Sequence, residues 1–360
     1  MEEKKYEKFI FWGNGSVGDH AIIIDYANRF FESTKISSLI LMKDNSQFLR
    51  DMFIPYRDHI EYLDISSVSK INVFNLAIKS IFHNYCYLDI IPNKASVSYK
   101  LFAYFIRFFT KSRFVGFNLE GTKNFPVGEG SCHFLGKYNY IPPNLDKEYF
   151  HEQANRMLKF LGFDDVVRPP QFDYIKQNDI FEKYDLKEKE YMVFHLCSSH
   201  PDRSLPTDRW NKIITNLRAF FPDTKFVFTG GNLDYKFIDE VLANIPSPNN
   251  VLAYSLPMQE LLTLYANAKL TVTVHTGNAI LMNMLHIPLV VLNIRGINIF
   301  KRYFSENTTE LTSEDGCTCN PFEEECAMVN YKGVDYMACL FNIKDEVVIE
   351  TVMKRFKEIE

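Results

Sequence analysis

Short apolar runs, each closed by a turn rich in glycine, serine or threonine and followed by a helical pattern, recur along this chain. No other feature constrains the fold as strongly, because buried strands alternating with helices build parallel sheets covered by helices. Residues 8–12, Lys-Phe-Ile-Phe-Trp, lead into Gly13-Asn14-Gly15-Ser16-Val17-Gly18-Asp19. A helical pattern over residues 20–31 and a second apolar run at 38–42 follow, completing one strand–helix–strand unit. Further strands are expected at 60–63, 86–91 and 114–117. Residues 118–150 read as an irregular connection, and 151–162 as a helix ended by glycine.

After Pro169-Pro170 and a charged stretch at 176–190, read as the interdomain linker, the rhythm resumes more clearly. Strands are expected at 191–195, 225–229, 270–274 and 288–292, with helices at 208–221, 234–244, 258–267 and 278–285. The expected architecture is two Rossmann-like, doubly wound α/β domains, facing each other across a central cleft at the C-terminal edges of their sheets. Residues 1–175 would form the first, acceptor-binding domain and 176–340 the second, nucleotide-sugar-binding one. A last helix, 341–360, would pack back on the first.

Composition narrows the function. The 360 residues are 46% hydrophobic and 24% charged, enough to bury two cores. A formal charge of −5 argues against a general nucleic-acid binder. No apolar run reaches the length of a membrane span, and the charged start Met1-Glu2-Glu3-Lys4-Lys5 is unlike a signal peptide. The seven cysteines are an odd number, and Cys86, Cys132 and Cys197 are scattered, which suits a reducing compartment; the expectation is a cytoplasmic protein.

Four turns hold residues suited to chemistry. Gly13-x-Gly15-x-x-Gly18-Asp19 has dinucleotide-loop spacing, which alone is a weak signal. Asp19 at the mouth of a helix is either a general base or a helix cap. The turn after residue 195 contains Ser198, Ser199 and Arg203, hydroxyls and a fixed positive charge suited to a diphosphate; on structural grounds alone they are turn residues and a solvated charge. In Thr229-Gly230-Gly231-Asn232-Leu233-Asp234 the glycines admit close approach to backbone, and Asp234 either bonds a ribose or caps a helix. His275-Thr276-Gly277-Asn278 is a strand-to-helix turn whose amides face the same edge.

In order and content these motifs resemble glycosyltransferase family 9, the ADP-heptose:lipopolysaccharide heptosyltransferases. The resemblance runs through Arg203, Pro206-x-x-x-Trp210, Phe228-Thr229-Gly230-Gly231, Tyr254-Ser255-Leu256-Pro257, Thr276-Gly277 and Ile287-Pro288 to Cys317-x-Cys319-x-Pro321-Phe322, and more loosely through the first half at Gly18-Asp19. It implies a GT-B fold and a metal-independent transferase. Asp19 would be the catalytic base, with Gly15, Ser16 and Gly18 on the acceptor side. Ser198, Ser199, Arg203, Gly230, Gly231, Asp234, His275, Thr276, Gly277 and Asn278 would hold the donor, ADP-heptose by the resemblance. The family's Asp before Thr-Gly is His275 here, and its later His is Ile280, so the donor is open. His275 would offer the phosphate a positive or hydrogen-bonding partner at mildly acidic pH.

Cys317, Cys319, Cys326 and Cys339 supply enough thiols for a structural zinc or iron; free or bridged thiols are the alternative. Residues 99–113, aromatic and basic, read first as a core helix with a cationic edge and second as a patch for peripheral contact at the inner face of the plasma membrane. The acceptor would be a lipopolysaccharide, surface glycan or protein hydroxyl. A transferase with another donor, a protein O-heptosyltransferase, a non-catalytic scaffold in glycan assembly and a nucleotide-sugar epimerase stand as alternatives.

Overall fold

Apolar pentads buried on both faces, such as Ser38–Met42, form central parallel strands because helices cover both sides of the sheet. The computed structural model describes residues 6–12, 16–44, 46–65, 70–89, 97–117, 140–141, 150–294, 306–313 and 327–359. The chain divides into two units, Met1–Phe172 and Asp173–Glu360. In the first the elements run β1 (Lys8–Trp12), α1 (Val17–Thr34), β2 (Ser38–Met42), α2 (Gln47–Asp51), β3 (Ile60–Asp64), α3 (Lys70–Phe82), β4 (Tyr85–Asp89), α4 (Val97–Phe109), β5 (Arg113–Phe117), β6 (Tyr140–Ile141) and α5 (Phe150–Leu161). Their sheet has the order β3-β2-β1-β4-β5-β6, with every neighbouring pair parallel.

In the second unit the order is α6 (Asp179–Lys183), β7 (Tyr191–His195), α7 (Thr207–Phe220), β8 (Lys225–Gly230), α8 (Tyr235–Leu242), β9 (Asn250–Tyr254), α9 (Met258–Ala266), β10 (Leu270–Val274), α10 (Gly277–Met284), β11 (Leu289–Leu292), β12 (Thr308–Leu311), β13 (Met328–Tyr331), β14 (Val334–Met337), α11 (Ala338–Phe341) and α12 (Asp345–Glu358). The six-stranded sheet β12-β11-β10-β7-β8-β9 is again parallel throughout. Numbered within each unit, both sheets read 3-2-1-4-5-6, the Rossmann order. β13 and β14 form an antiparallel hairpin turned by Lys332 (φ 52°) and Gly333 (φ 82°), the left-handed pair a two-residue hairpin turn requires.

Charge networks lock one helix in each unit. The buried Asp25 on α1 accepts from Arg29 Nε at 2.8 Å, from Arg168 Nη1 at 3.1 Å and from the Gln171 amide at 3.0 Å. Arg29 in turn donates to the carbonyls of Val166 and Arg168. In the second unit Arg209 of α7 donates to Asp345 Oδ1 at 2.7 Å and to the carbonyls of Phe341 and Ile343.

That second network, with Val348, Ile349 and Val352 in the second unit's core, packs α12 on α7. The last helix, expected to return to the first domain, lies on the second because its apolar stripe completes that core. The division falls at 172/173 rather than 175/176, and the charged stretch 176–190 is not a free linker. It includes α6, buries Ile180 and Leu186, and bonds Gln177 N–H to Thr263 Oγ1 at 3.0 Å.

Candidate functional sites at the two switch points

In a 3-2-1-4-5-6 sheet the strand order reverses between strands 1 and 4, and ligands bind outside the carboxyl ends of the strands at that point. The first unit's switch point lies between β1 and β4, where α1 begins. Ser16 caps α1 from extended backbone (φ −97°, ψ 151°) and accepts the Asp19 amide at 3.2 Å. Its hydroxyl donates to Asp19 Oδ2 at 2.6 Å. Ser16, not Asp19, is therefore the cap, and the Asp19 carboxylate is half-buried in the first turn.

Burial pushes the Asp19 carboxyl above the usual carboxylate range, while the Ser16 hydrogen bond and the neighbouring His20 pull back. His20 is fully buried and held below the ordinary imidazole value by that burial. Its Nδ1 donates to the Ser16 carbonyl at 2.8 Å. Gly18 is buried in the same turn; Gly15 lies outside the described residues.

The second unit's switch point lies between β7 and β10. The turn after β7 is fixed by Ser204, whose hydroxyl donates to the Leu196 carbonyl at 2.6 Å and accepts the indole N–H of fully buried Trp210 at 3.2 Å. This pinning presents half-buried Ser198, exposed Ser199 and, in a short 3-10 turn, half-buried Arg203. Arg203 Nε is buried and has no hydrogen-bond partner, and its guanidinium makes no ion pair among the described residues. A buried polar group without a partner is costly and calls for a ligand or water.

Arg203 acts on His275 at the end of β10. Burial, then the Arg203 charge, push the His275 imidazole down to about 4, against a hydrogen bond from the Asn293 side. His275 Nδ1 lies 2.8 Å from Asn293 Oδ1. The positive charge expected of His275 at mildly acidic pH therefore does not form, because a buried imidazole beside a guanidinium loses its proton first.

On β8, glycine at 230 is a steric requirement: a Cβ there would stand 2.8 Å from Asp234 Cβ. Gly231 has no such demand, its nearest atom being Asp234 Oδ2 at 3.6 Å. Asp234 accepts the Gly231 amide at 2.7 Å; burial first, and Asp234 second, push the Cys197 thiol up, so Asp234 folds its own loop and also touches the β7 turn. Thr276 precedes α10 in extended backbone with no side-chain cap, leaving the α10 amides to the switch point, and Gly277 and Asn278 open the helix.

The fold joins these turns through a residue the sequence did not single out. His195, the last residue of β7, lies 3.0 Å from Thr229 Oγ1, 3.0 Å from Asn278 Nδ2 and 3.3 Å from the Tyr265 hydroxyl. Burial holds its imidazole at about 4. Asn278 Oδ1 is buried without a partner. A histidine ending an otherwise apolar strand was the available signal. Cys339 is packed in the second unit's core, whereas Cys317, Cys319 and Cys326 lie outside the described residues; among the described residues no His, Cys, Asp and Glu cluster could hold a metal.

Two parallel sheets in Rossmann order define the GT-B fold of glycosyltransferases. Within that class the chain is similar over nearly its whole length to glycosyltransferase family 9 and heptosyltransferase structures. The glycosyl transferase family 9 protein of Veillonella parvula DSM 2008 aligns with a TM-score of 0.71 at 14% identity, covering 99% of each chain. The E. coli ADP-heptose lps heptosyltransferase II aligns with a TM-score of 0.67 at 14% identity, covering 98% of this chain and 99% of that one. TibC of enterotoxigenic E. coli, a dodecameric iron-containing heptosyltransferase solved with ADP-D-beta-D-heptose, aligns at 0.57 and 15% identity, over 100% of this chain and 79% of that one. At such identities the likeness establishes the fold. No family model matches the sequence. No curated protein matches it either.

Proposed function

We propose that this protein is a glycosyltransferase that moves a heptose-like sugar from a nucleoside-diphosphate donor to a hydroxyl of a surface glycan. The observation that carries this reading is the buried, unpartnered Nε of Arg203 at the switch point of the second unit, beside the open amides of α10. A diphosphate oxygen satisfies both, and charge-assisted bonds of this kind are the strong ones. The similar structures include a heptosyltransferase bound to an ADP-heptose, which supports that donor class.

The second unit binds the donor. Arg203, the Ser198 and Ser199 hydroxyls and the amides of Thr276, Gly277 and Asn278 take the diphosphate; Gly230 and Gly231 let it approach the backbone, with Asp234 toward the ribose. His275, neutral, adds a hydrogen bond rather than a charge. The first unit activates the acceptor. Asp19 removes the proton from the acceptor hydroxyl, the freed oxygen attacks the anomeric carbon, and the bond from that carbon to the diphosphate oxygen breaks. A carboxyl raised by burial is a better base near neutral pH than an ordinary one. Ser16 and Gly18 shape the turn that holds it. A structural zinc or iron at Cys317, Cys319, Cys326 and Cys339, or free or bridged thiols in its place, would lie outside this chemistry.

A panel of nucleotide sugars, titrated by calorimetry and then assayed for transfer, tests the reading. ADP-heptose binds, and Asp19→Asn binds it as the unchanged protein does while transfer falls by about 10²- to 10⁴-fold. A protein that binds no nucleotide sugar is not a transferase, and loss of donor binding in Asp19→Asn removes the base from its role.

A further inference from the structure

Among the described residues, the first unit presents an apolar face that no other element covers. α3 and α4 lie against each other and are apolar on both sides. Inward, Leu76, Ala77, Phe102, Ala103 and Ile106 are buried in one cluster. Outward, Ile71, Phe74 and Phe82 of α3 are 70, 63 and 74% exposed, and Leu101, Phe108 and Phe109 of α4 are 64, 63 and 68% exposed. The outward residues recur at helical steps, so each helix carries a second apolar stripe. A helix apolar all round belongs where water does not reach it, and a contiguous apolar patch marks an interaction surface.

Charge identifies what the face meets. Neither helix contains an acidic residue. From residue 65 to 119 the chain has Lys70, Lys79, Lys94, Lys100, Arg107, Lys111 and Arg113 against a single acid, the buried Asp89. This occurs in a chain whose net charge is −5. Just past the end of α4, a pocket of about 420 Å³ is lined by Arg107, Lys111, Arg113, Ser112 and Asn84 with Tyr6 and Phe114. Arg107 itself lies over the Phe108 ring, 5.1 Å from its centre.

We propose that this face docks on an anionic lipid surface, the α3 and α4 stripes entering the interfacial region and a lipid phosphate entering the Arg107–Lys111–Arg113 pocket. Aromatic side chains rimmed by lysine and arginine are the combination that interfacial helices use. A protein partner would meet charge of both signs, and the cores of protein interfaces are poor in lysine. The proposal does not rest on glycosyl transfer, since docking needs no donor and is read without one.

The test mixes the full chain with vesicles of phosphatidylcholine alone or with phosphatidylglycerol added, and measures the bound fraction by flotation. Binding is expected to the anionic vesicles and to fall at least tenfold in high salt or without phosphatidylglycerol. Two variants, Phe74→Ser/Phe82→Ser/Phe108→Ser and Lys79→Glu/Arg107→Glu/Lys111→Glu, each bind at least tenfold more weakly. The single change Phe108→Ser, at an exposed position, gives a partial loss with an unchanged circular dichroism spectrum. A chain that floats with neither vesicle, or a serine variant that binds like the unchanged protein, overturns the proposal. So does a self-associated chain that the serine variant dissociates while lipid binding is absent, which would give the face to a second copy.

Discussion

Strand β1 leads into α1, whose first turn carries a carboxylate, Asp19; strand β7, the first strand of the same six-stranded order, leads into a loop that carries a guanidinium, Arg203, in a short 3-10 turn before α7. The carboxylate is raised by burial and steadied by the hydroxyl that caps its own helix. The guanidinium has a buried nitrogen left without a partner and lies close enough to His275 to lower that imidazole's pKa. A repeated scaffold thus carries opposite charges in the segments that follow its two first strands. On the proposed reading, one switch point takes a proton and the other holds an anion.

The sharpest way to break this comparison is to disable each side in turn. Asp19→Asn should cost about 10²- to 10⁴-fold in transfer with donor affinity unchanged. Arg203→Ala should weaken nucleoside-diphosphate binding about ten- to a hundredfold, the worth of one charge-assisted contact. Single-turnover kinetics beside calorimetry separate the two. If both variants lose binding equally, the division of labour fails.

Each unit also fixes its helix differently, and the first does so with buried charge. Asp25 is nearly fully buried, with both oxygens engaged, one by Arg29 and the other by Arg168 and the Gln171 amide. Asp25→Ala leaves two cations facing a vacancy and should destabilise the first unit by about 3–5 kcal/mol. Hydrogen exchange across α1 should quicken accordingly, while exchange in β7 and β8 stays as it was. Equal acceleration in both would mean that the units do not unfold independently.

The second unit should lose stability in acid. His195 and His275 titrate near 4 when folded, against an ordinary value near 6.5. The unfolded chain therefore binds these protons more readily. Their contribution to stability is full above about pH 6.5 and drains as pH falls toward 4, on the order of 2 kcal/mol for each histidine. In a Trp12→Phe background, Trp210 fluorescence reports the second unit, and its urea midpoint should drop across that window. His195→Asn should flatten the slope. A midpoint that holds from pH 6.5 to 4.5 would show that neither imidazole is buried neutral.

The strands were legible wherever burial on both faces left a continuous apolar run, as at 8–12, 191–195 and 270–274. β9 was missed because it is an edge strand with Leu252 43% exposed, so its pattern is broken. α3 was missed because a helix apolar on both sides shows no amphipathic period, and α4 was read first as core when one face only is buried. The turns of the second site could be placed, since they follow successive strands. The partners of His195 could not: Thr229, Tyr265 and Asn278 lie 34, 70 and 83 residues away. Only the sheet order brings them together.

The smallest expected effect separates the two hydroxyl turns. Ser16→Ala removes the α1 cap, worth about 1 kcal/mol of stability. It also removes the hydrogen bond that lowers the Asp19 pKa, so the acid limb of the pH–rate profile should move further upward. Ser198 has a different position: among the described residues its hydroxyl meets the His200 amide, at 3.4 Å, and no carboxylate. Ser198→Ala should alter donor affinity and leave the acid limb in place. A limb that shifts in Ser198→Ala but not in Ser16→Ala would move the titrating base from the first switch point to the second.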